Sequence, residues 1–87
     1  MIYFTLYSRS YCHLCDDMLV ALRAQLGTLL IDIRVLDVDA DPALLEKYDE
    51  LVPVLTGRYG DGVDRELGKY FLDVDRLSEF IASRPAM

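Results

Sequence analysis

The feature that most narrows the possible folds is a strand, a helix and a second strand in direct succession at the start of the chain. Ile2-Tyr3-Phe4-Thr5-Leu6-Tyr7 is apolar and β-prone and is closed by Ser8-Arg9-Ser10, the pattern of a mostly buried strand. From Cys15 the period changes. Cys15, Met18, Leu19, Leu22 and Leu26 recur at helical spacing and Gly27 supplies a C-terminal stop, so a helix over Leu14–Leu26 is predicted. Leu30–Val38 then alternates Ile31, Ile33 and Val35 against Asp32 and Arg34, a second strand. Strands joined through a helix in this way run parallel, and the connection is right-handed.

The remainder completes the architecture. Asp41-Pro42 is a helix-start signal, with Asp41 as N-cap and Pro42 in the first turn. Leu44, Leu45, Tyr48 and Leu51 give this second helix its buried face. Val52-Pro53-Val54-Leu55 is a short apolar run interrupted by proline, and Gly60-Asp61-Gly62 marks a turn. Val54–Tyr59 and Val63–Leu67 are therefore expected to form a hairpin. Val74, Leu77, Phe80 and Ile81 make an amphipathic C-terminal helix that starts through Asp73 and ends before Pro85. The order β-α-β-α-β-β-α implies an α/β fold, a mixed four-stranded sheet flanked by three helices, which buries every apolar face named. No linker or repeat interrupts residues 1–87, and 87 residues make one domain rather than two.

Composition excludes several classes. With 53% hydrophobic residues the chain can build a core, so disorder is not expected. Nine basic residues against fifteen acidic ones give a net charge of −6, which repels phosphate backbones; no nucleic-acid partner is expected. No apolar run approaches the ~20 residues that span a bilayer, and Met1–Tyr7 shows no basic leader or small-residue cleavage site. The expectation is a cytoplasmic monomer without membrane contact.

The chemistry lies in Ser10-Tyr11-Cys12-His13-Leu14-Cys15-Asp16-Asp17, which joins the first strand to the first helix. Closing so short a loop with a disulfide would stabilise the fold by only ~2 kcal/mol on the chain-entropy model. Stapling is thus a poor reason for this spacing, and reactivity a better one. Cys12 falls at the helix N-terminus, where unpaired amides and the helix dipole favour an anion. A thiol with the ordinary cysteine pKa is only ~3% ionised near pH 7, and half-ionisation needs ~2 kcal/mol of preferential stabilisation. A helix N-terminus supplies ~0.3–2 kcal/mol. Protonated His13 would add to this, and Arg9 is a second candidate cation; Asp16 and Asp17 oppose it. Cys12 is the expected nucleophile, acidified less than in a site without those aspartates. Cys15, one turn on and more buried, is the expected resolving thiol. Pro53 opens an apolar strand just after a helix, where a cis bond would bend the chain toward Cys12; cis bonds make up only ~5% of X-Pro bonds in folded proteins.

Taken together, the sequence resembles a glutaredoxin, within the thioredoxin fold, and is most similar to a small bacterial branch with Cys-His-Leu-Cys in place of Cys-Pro-Tyr-Cys. The resemblance runs over the whole chain in element order, CxxC position and Val-Pro position. It implies a thiol–disulfide oxidoreductase, with Cys12 as nucleophile, Cys15 as resolving thiol, Pro53 cis, and the Val52 backbone pairing with an extended peptide or glutathione. Its partners would be a protein disulfide or a glutathione mixed disulfide. Glutathione would be a co-substrate rather than a tightly bound cofactor. The glutathione-binding Gly-Gly-x-Asp segment of the family is replaced by Gly68-Lys69-Tyr70-Phe71-Leu72-Asp73. Asp73 is a candidate ligand acceptor as well as a helix cap, and Arg9 is the candidate carboxylate anchor. Tyr11 is a candidate substrate contact, while Tyr70 and Phe71 are expected to pack between strand and helix.

Other readings are weaker. Cys12, His13 and Cys15 are soft ligands, but a metal or iron–sulfur module would need a fourth ligand from elsewhere, so no metal site is assigned. A non-catalytic adaptor binding through the Val52 edge would leave the dithiol without a use. Asp37, Asp39 and Asp41 imitate the start of a calcium loop, yet Pro42 stands where glycine is needed and Tyr48 where glutamate is needed.

Overall fold

The computed structural model describes residues 2–10, 12–27, 31–48 and 51–83. Strand β1 (Ile2–Ser8), helix α1 (His13–Leu26) and strand β2 (Ile31–Asp37) form the expected crossover. β1 and β2 are parallel, with Ile2 opposite Ile31 and Ser8 opposite Asp37. A 3-10 turn (Val38–Ala40) leads into α2 (Pro42–Tyr48), followed by β3 (Val54–Tyr59), β4 (Arg65–Lys69), a two-residue β5 (Phe71–Leu72) and α3 (Val74–Ala82). The sheet order is β2-β1-β3-β4-β5. The mixed four-stranded sheet is thus present, and β5 extends it beyond β4. β3 runs antiparallel to both β1 and β4.

Alternation along β1 separates two cores. Ile2, Phe4 and Leu6 face Met18, Leu22 and Leu26 of α1 and Leu77 and Phe80 of α3, together with Leu55 and Leu67. On the other face Tyr7 packs with Val38, Tyr48 and Val54, joined by Leu44, Leu45, Leu51 and Val52. The rings of Tyr7 and Tyr48 stack with centroids 4.3 Å apart, anchoring α2 to the sheet. Burial, followed by the neighbouring Tyr48, pushes the Tyr7 hydroxyl above its ordinary pKa, so it serves this core as a neutral phenol.

The helix punctuation follows local chemistry. Gly27, at φ 59°, caps α1 and donates its N–H to the Arg23 carbonyl at 3.1 Å. The three spaced aspartates each have a separate task. Asp37 accepts the Asp39 N–H and so caps the 3-10 turn, Asp41 accepts the Ala43 N–H and caps α2, and Asp39 pairs with Arg9.

Several positions differ from the sequence expectation: β2 stops at Asp37, with Val38 passing into the 3-10 turn, and β4 runs on to Lys69 rather than ending at Leu67. α1 starts at His13, one residue early. β4 begins at Arg65 rather than Val63, because the turn, closed by the Gly62 N–H on the Tyr59 carbonyl, continues through an exposed Val63. Leu51 lies beyond α2 and donates its N–H to Tyr48. Val74 is the first residue of α3 and is 42% exposed, outside the core. Leu30 and Pro85, used to bound elements in the sequence, lie outside the described residues.

β5 exists because the chain reverses on a single residue. Lys69 pairs with Phe71 and Gly68 with Leu72, leaving Tyr70 at the apex with φ 67°, a conformation costly for a bulky side chain. A Cβ on Gly68 would lie 2.8 Å from the Phe71 carbonyl oxygen and 3.4 Å from the Asp73 nitrogen. Those are backbone atoms and cannot swing aside. Gly68→Ala is expected to displace β5 and destabilise the fold by about 1–3 kcal/mol, read as a lowered midpoint in thermal or urea unfolding.

Candidate active site

Tyr7 lies opposite Val54. The segment that leaves β1 toward Cys12 and the Val52-Pro53 segment that precedes β3 therefore lie at the same end of the sheet. Cys12 is the N-cap of α1, in extended conformation at φ −102° and ψ 103°. Its carbonyl accepts the Asp16 N–H, and its Sγ accepts the Cys15 N–H at 3.1 Å. The sulfur thus takes the position that a serine or aspartate oxygen occupies in other helix caps. The amide beside it favours negative charge on sulfur.

Cys12 and Cys15 form a disulfide with Cα atoms 5.2 Å apart, inside the ordinary range. The two ends of the bond differ. Cys15 is 2% exposed and packed in the core, whereas Cys12 is half-buried. Cys12 is therefore the more accessible of the two residues.

The other candidates are distributed as follows. His13 opens α1 and is exposed. Arg9 is held by Asp39, thirty residues away, through a two-pronged contact: Nε to Oδ2 at 3.2 Å and a terminal nitrogen to Oδ1 at 2.8 Å. The Val52–Pro53 bond is cis and Pro53 is buried. Among the described residues the Val52 backbone makes no hydrogen bond, while the Pro53 carbonyl accepts the Tyr70 N–H at 2.9 Å. Asp73 caps α3, accepting the Arg76 N–H at 3.0 Å. Tyr11 lies outside the described residues.

Tyr70 and Phe71 do not pack between strand and helix as expected. They are 39% and 71% exposed, because the one-residue reversal turns them outward. Leu14 and Val74 are exposed as well. α1 lies alongside β5, so the elements that carry these apolar side chains are neighbours. The sequence signal was available in part: bulky residues stand between Gly68 and Asp73. Their outward direction depends on backbone geometry that no local pattern announces. Among the described residues, no group of three or more His, Cys, Asp or Glu side chains is placed to hold a metal ion. No helix among them is long and apolar enough to cross a membrane.

Residues 4–82 match the family model described as a glutaredoxin-like domain (DUF836). The chain belongs to this glutaredoxin-like family. Two solved structures are similar in sequence as well as in fold. Protein Ne2328 from Nitrosomonas europaea is 32% identical over 91% of this chain and 89% of its own, with a TM-score of 0.76. Protein XcR50 from X. campestris is 33% identical over 94% of this chain and 99% of its own, with a TM-score of 0.62. Mitochondrial thioredoxin 3 from Saccharomyces cerevisiae, in its oxidized form, is 14% identical over 93% of this chain and 76% of its own, with a TM-score of 0.63. That likeness shows the thioredoxin fold. No curated protein matches the chain. The glutaredoxin-like domain therefore carries its cysteine pair at the junction of β1 and α1, at disulfide distance.

Proposed function

We propose that this glutaredoxin-like protein is a thiol–disulfide oxidoreductase that reduces protein disulfides through a Cys12/Cys15 dithiol cycle. The observation that carries the reading is the inequality of the two sulfurs, one half-buried and capping α1, the other in the core behind it. In the reduced protein the Cys15 amide and the α1 dipole stabilise a Cys12 thiolate. It attacks one sulfur of a substrate disulfide, and the other substrate sulfur leaves as a thiolate that takes a proton from water. Cys15 then loses its proton and attacks the Cys12 sulfur of the mixed disulfide. The second substrate thiol departs, and the Cys12–Cys15 bond closes. Two electrons pass from the dithiol to the substrate; two molecules of an external thiol such as glutathione, acting as co-substrate, then restore the dithiol and leave as their own disulfide.

Val52 supports this reading, since its backbone groups bond no described residue and can meet an extended strand beside Cys12. The exposed Leu14, Tyr70 and Phe71 suit an apolar polypeptide flank better than a small polar thiol. A reducing compartment, the cytoplasm, suits a protein that works as the dithiol.

Trapping tests the proposal. Cys15→Ser removes the resolving thiol but leaves the nucleophile. Incubation with native, disulfide-bonded insulin is expected to give a mixed disulfide on Cys12, visible as a mass increase that dithiothreitol reverses. A folded Cys15→Ser protein that forms no adduct, together with a wild type that reduces neither insulin nor a glutathionylated peptide, overturns it.

A further inference from the structure

β2 ends the sheet, and its outer edge carries a pattern that complements itself. Asp32 and Arg34 are exposed and lie on one face, level with Tyr3 and Thr5. Neither takes part in an ion pair with a described residue. Ile31, Ile33 and Val35 lie on the other face, and Val35 is 49% exposed. Edge strands are commonly guarded against pairing by charged side chains. Here the two charges are opposite and two residues apart, so one antiparallel register converts the guard into an attraction.

We propose that β2 pairs antiparallel with β2 of a second copy of this chain, about a twofold axis at Ile33. In that register Asp32 of each copy lies opposite Arg34 of the other, Ile31 opposite Val35, and Ile33 opposite Ile33. Both charge pairs fall on one face and all apolar pairs on the other. A slip of two residues sets Asp32 against Asp32 or Arg34 against Arg34. A slip of one sets charges against aliphatic side chains. The contact is isologous, closes at two copies and continues one sheet through both. Its length, five residues from Ile31 to Val35, is short of a standard permanent interface, so the dimer is weak and concentration-dependent. Cys12 lies toward the C-terminal end of β2, where Ser8 pairs with Asp37. Antiparallel pairing therefore puts the two disulfides at opposite ends, clear of the contact.

Sedimentation equilibrium over a wide concentration range tests this. The wild type is expected to show a monomer–dimer equilibrium. Arg34→Asp or Asp32→Arg alone sets like charges together twice in each dimer and is expected to weaken association about tenfold or more. Combining them as D32R/R34D restores opposite charges and is expected to recover the dimer. Amide hydrogen exchange of the wild type gives a readout free of substitution: the outward-facing amides of β2 should gain protection as concentration rises. A wild type that stays monomeric overturns the proposal. So does a D32R/R34D protein no more dimeric than the single variants, or a dimer whose β2 amides exchange freely. Disulfide reduction per chain should be the same in all four proteins.

Discussion

Cys12→Ser is expected to reduce disulfide-reductase activity to the uncatalysed rate. Among nearby substitutions only Cys15→Ser, which stalls after the first attack, should match the loss of turnover. A serine oxygen at this position can still accept the Cys15 N–H and cap α1, since serine is among the best N-cap residues. The fold and the start of the helix should therefore be preserved. What is lost is the atom that attacks. A hydroxyl is a far weaker nucleophile than a thiolate and does not exchange with a disulfide. The substitution thus separates the two roles assigned to residue 12, the cap and the chemistry. Circular dichroism should be unchanged while turnover of insulin disulfides disappears. Cys15→Ser should behave differently, completing the first attack and stalling. If Cys12→Ser retained reductase activity, or if both variants failed in the same step, the division of labour between the two sulfurs would be wrong.

Phe80→Ala should give the largest loss of stability. Phe80 is 4% exposed and belongs to the core between α1, α3 and the sheet. Its ring stacks on Tyr59 with centroids 4.4 Å apart and meets the edge of Phe4 at 5.9 Å. β3 makes room for it at Gly57, where a Cβ would lie 2.9 Å from the ring. Truncation therefore opens a void that the rigid sheet cannot close. Phe→Ala changes at such sites cost about 3–5 kcal/mol, a large part of the roughly 4–13 kcal/mol expected for a domain of this length. Urea unfolding should show a much lower midpoint with little change in slope. The backbone carbonyl of Phe80, which accepts the Tyr59 hydroxyl, is retained in the variant. The effect therefore isolates the ring, and Phe80→Leu, which keeps most of the volume, should recover a good part of the loss.

The order of elements was legible because it rests on period and punctuation. Ile2 to Tyr7, the Cys15-to-Leu26 stripe, Gly27 and Asp41-Pro42 are local signals, and each appears in the structure close to where it was read. The cysteine pair was legible for the same reason, since a strand end and a helix start bracket it. What escaped the sequence depends on contacts between distant segments. The Arg9–Asp39 pair is one such contact, joining residues thirty apart that the parallel pairing of β1 and β2 brings together. β5 has two residues and a left-handed tyrosine at its turn, where turn rules look for glycine or asparagine. Val74 kept the helical spacing of the core yet sits at the first position of α3, at the rim of the core.

The burial of Cys15 behind Cys12 also bears on how the reduced protein withstands peroxide. An oxidant arriving from solvent meets Cys12 and converts its thiolate to a sulfenic acid. The thiol beneath is close enough to bond with it at once. Water leaves, the sulfurs join, and the irreversible steps to sulfinic and sulfonic acid are cut off. The damage is stored as the same linkage that would close the proposed dithiol cycle, so the same reduction would repair both.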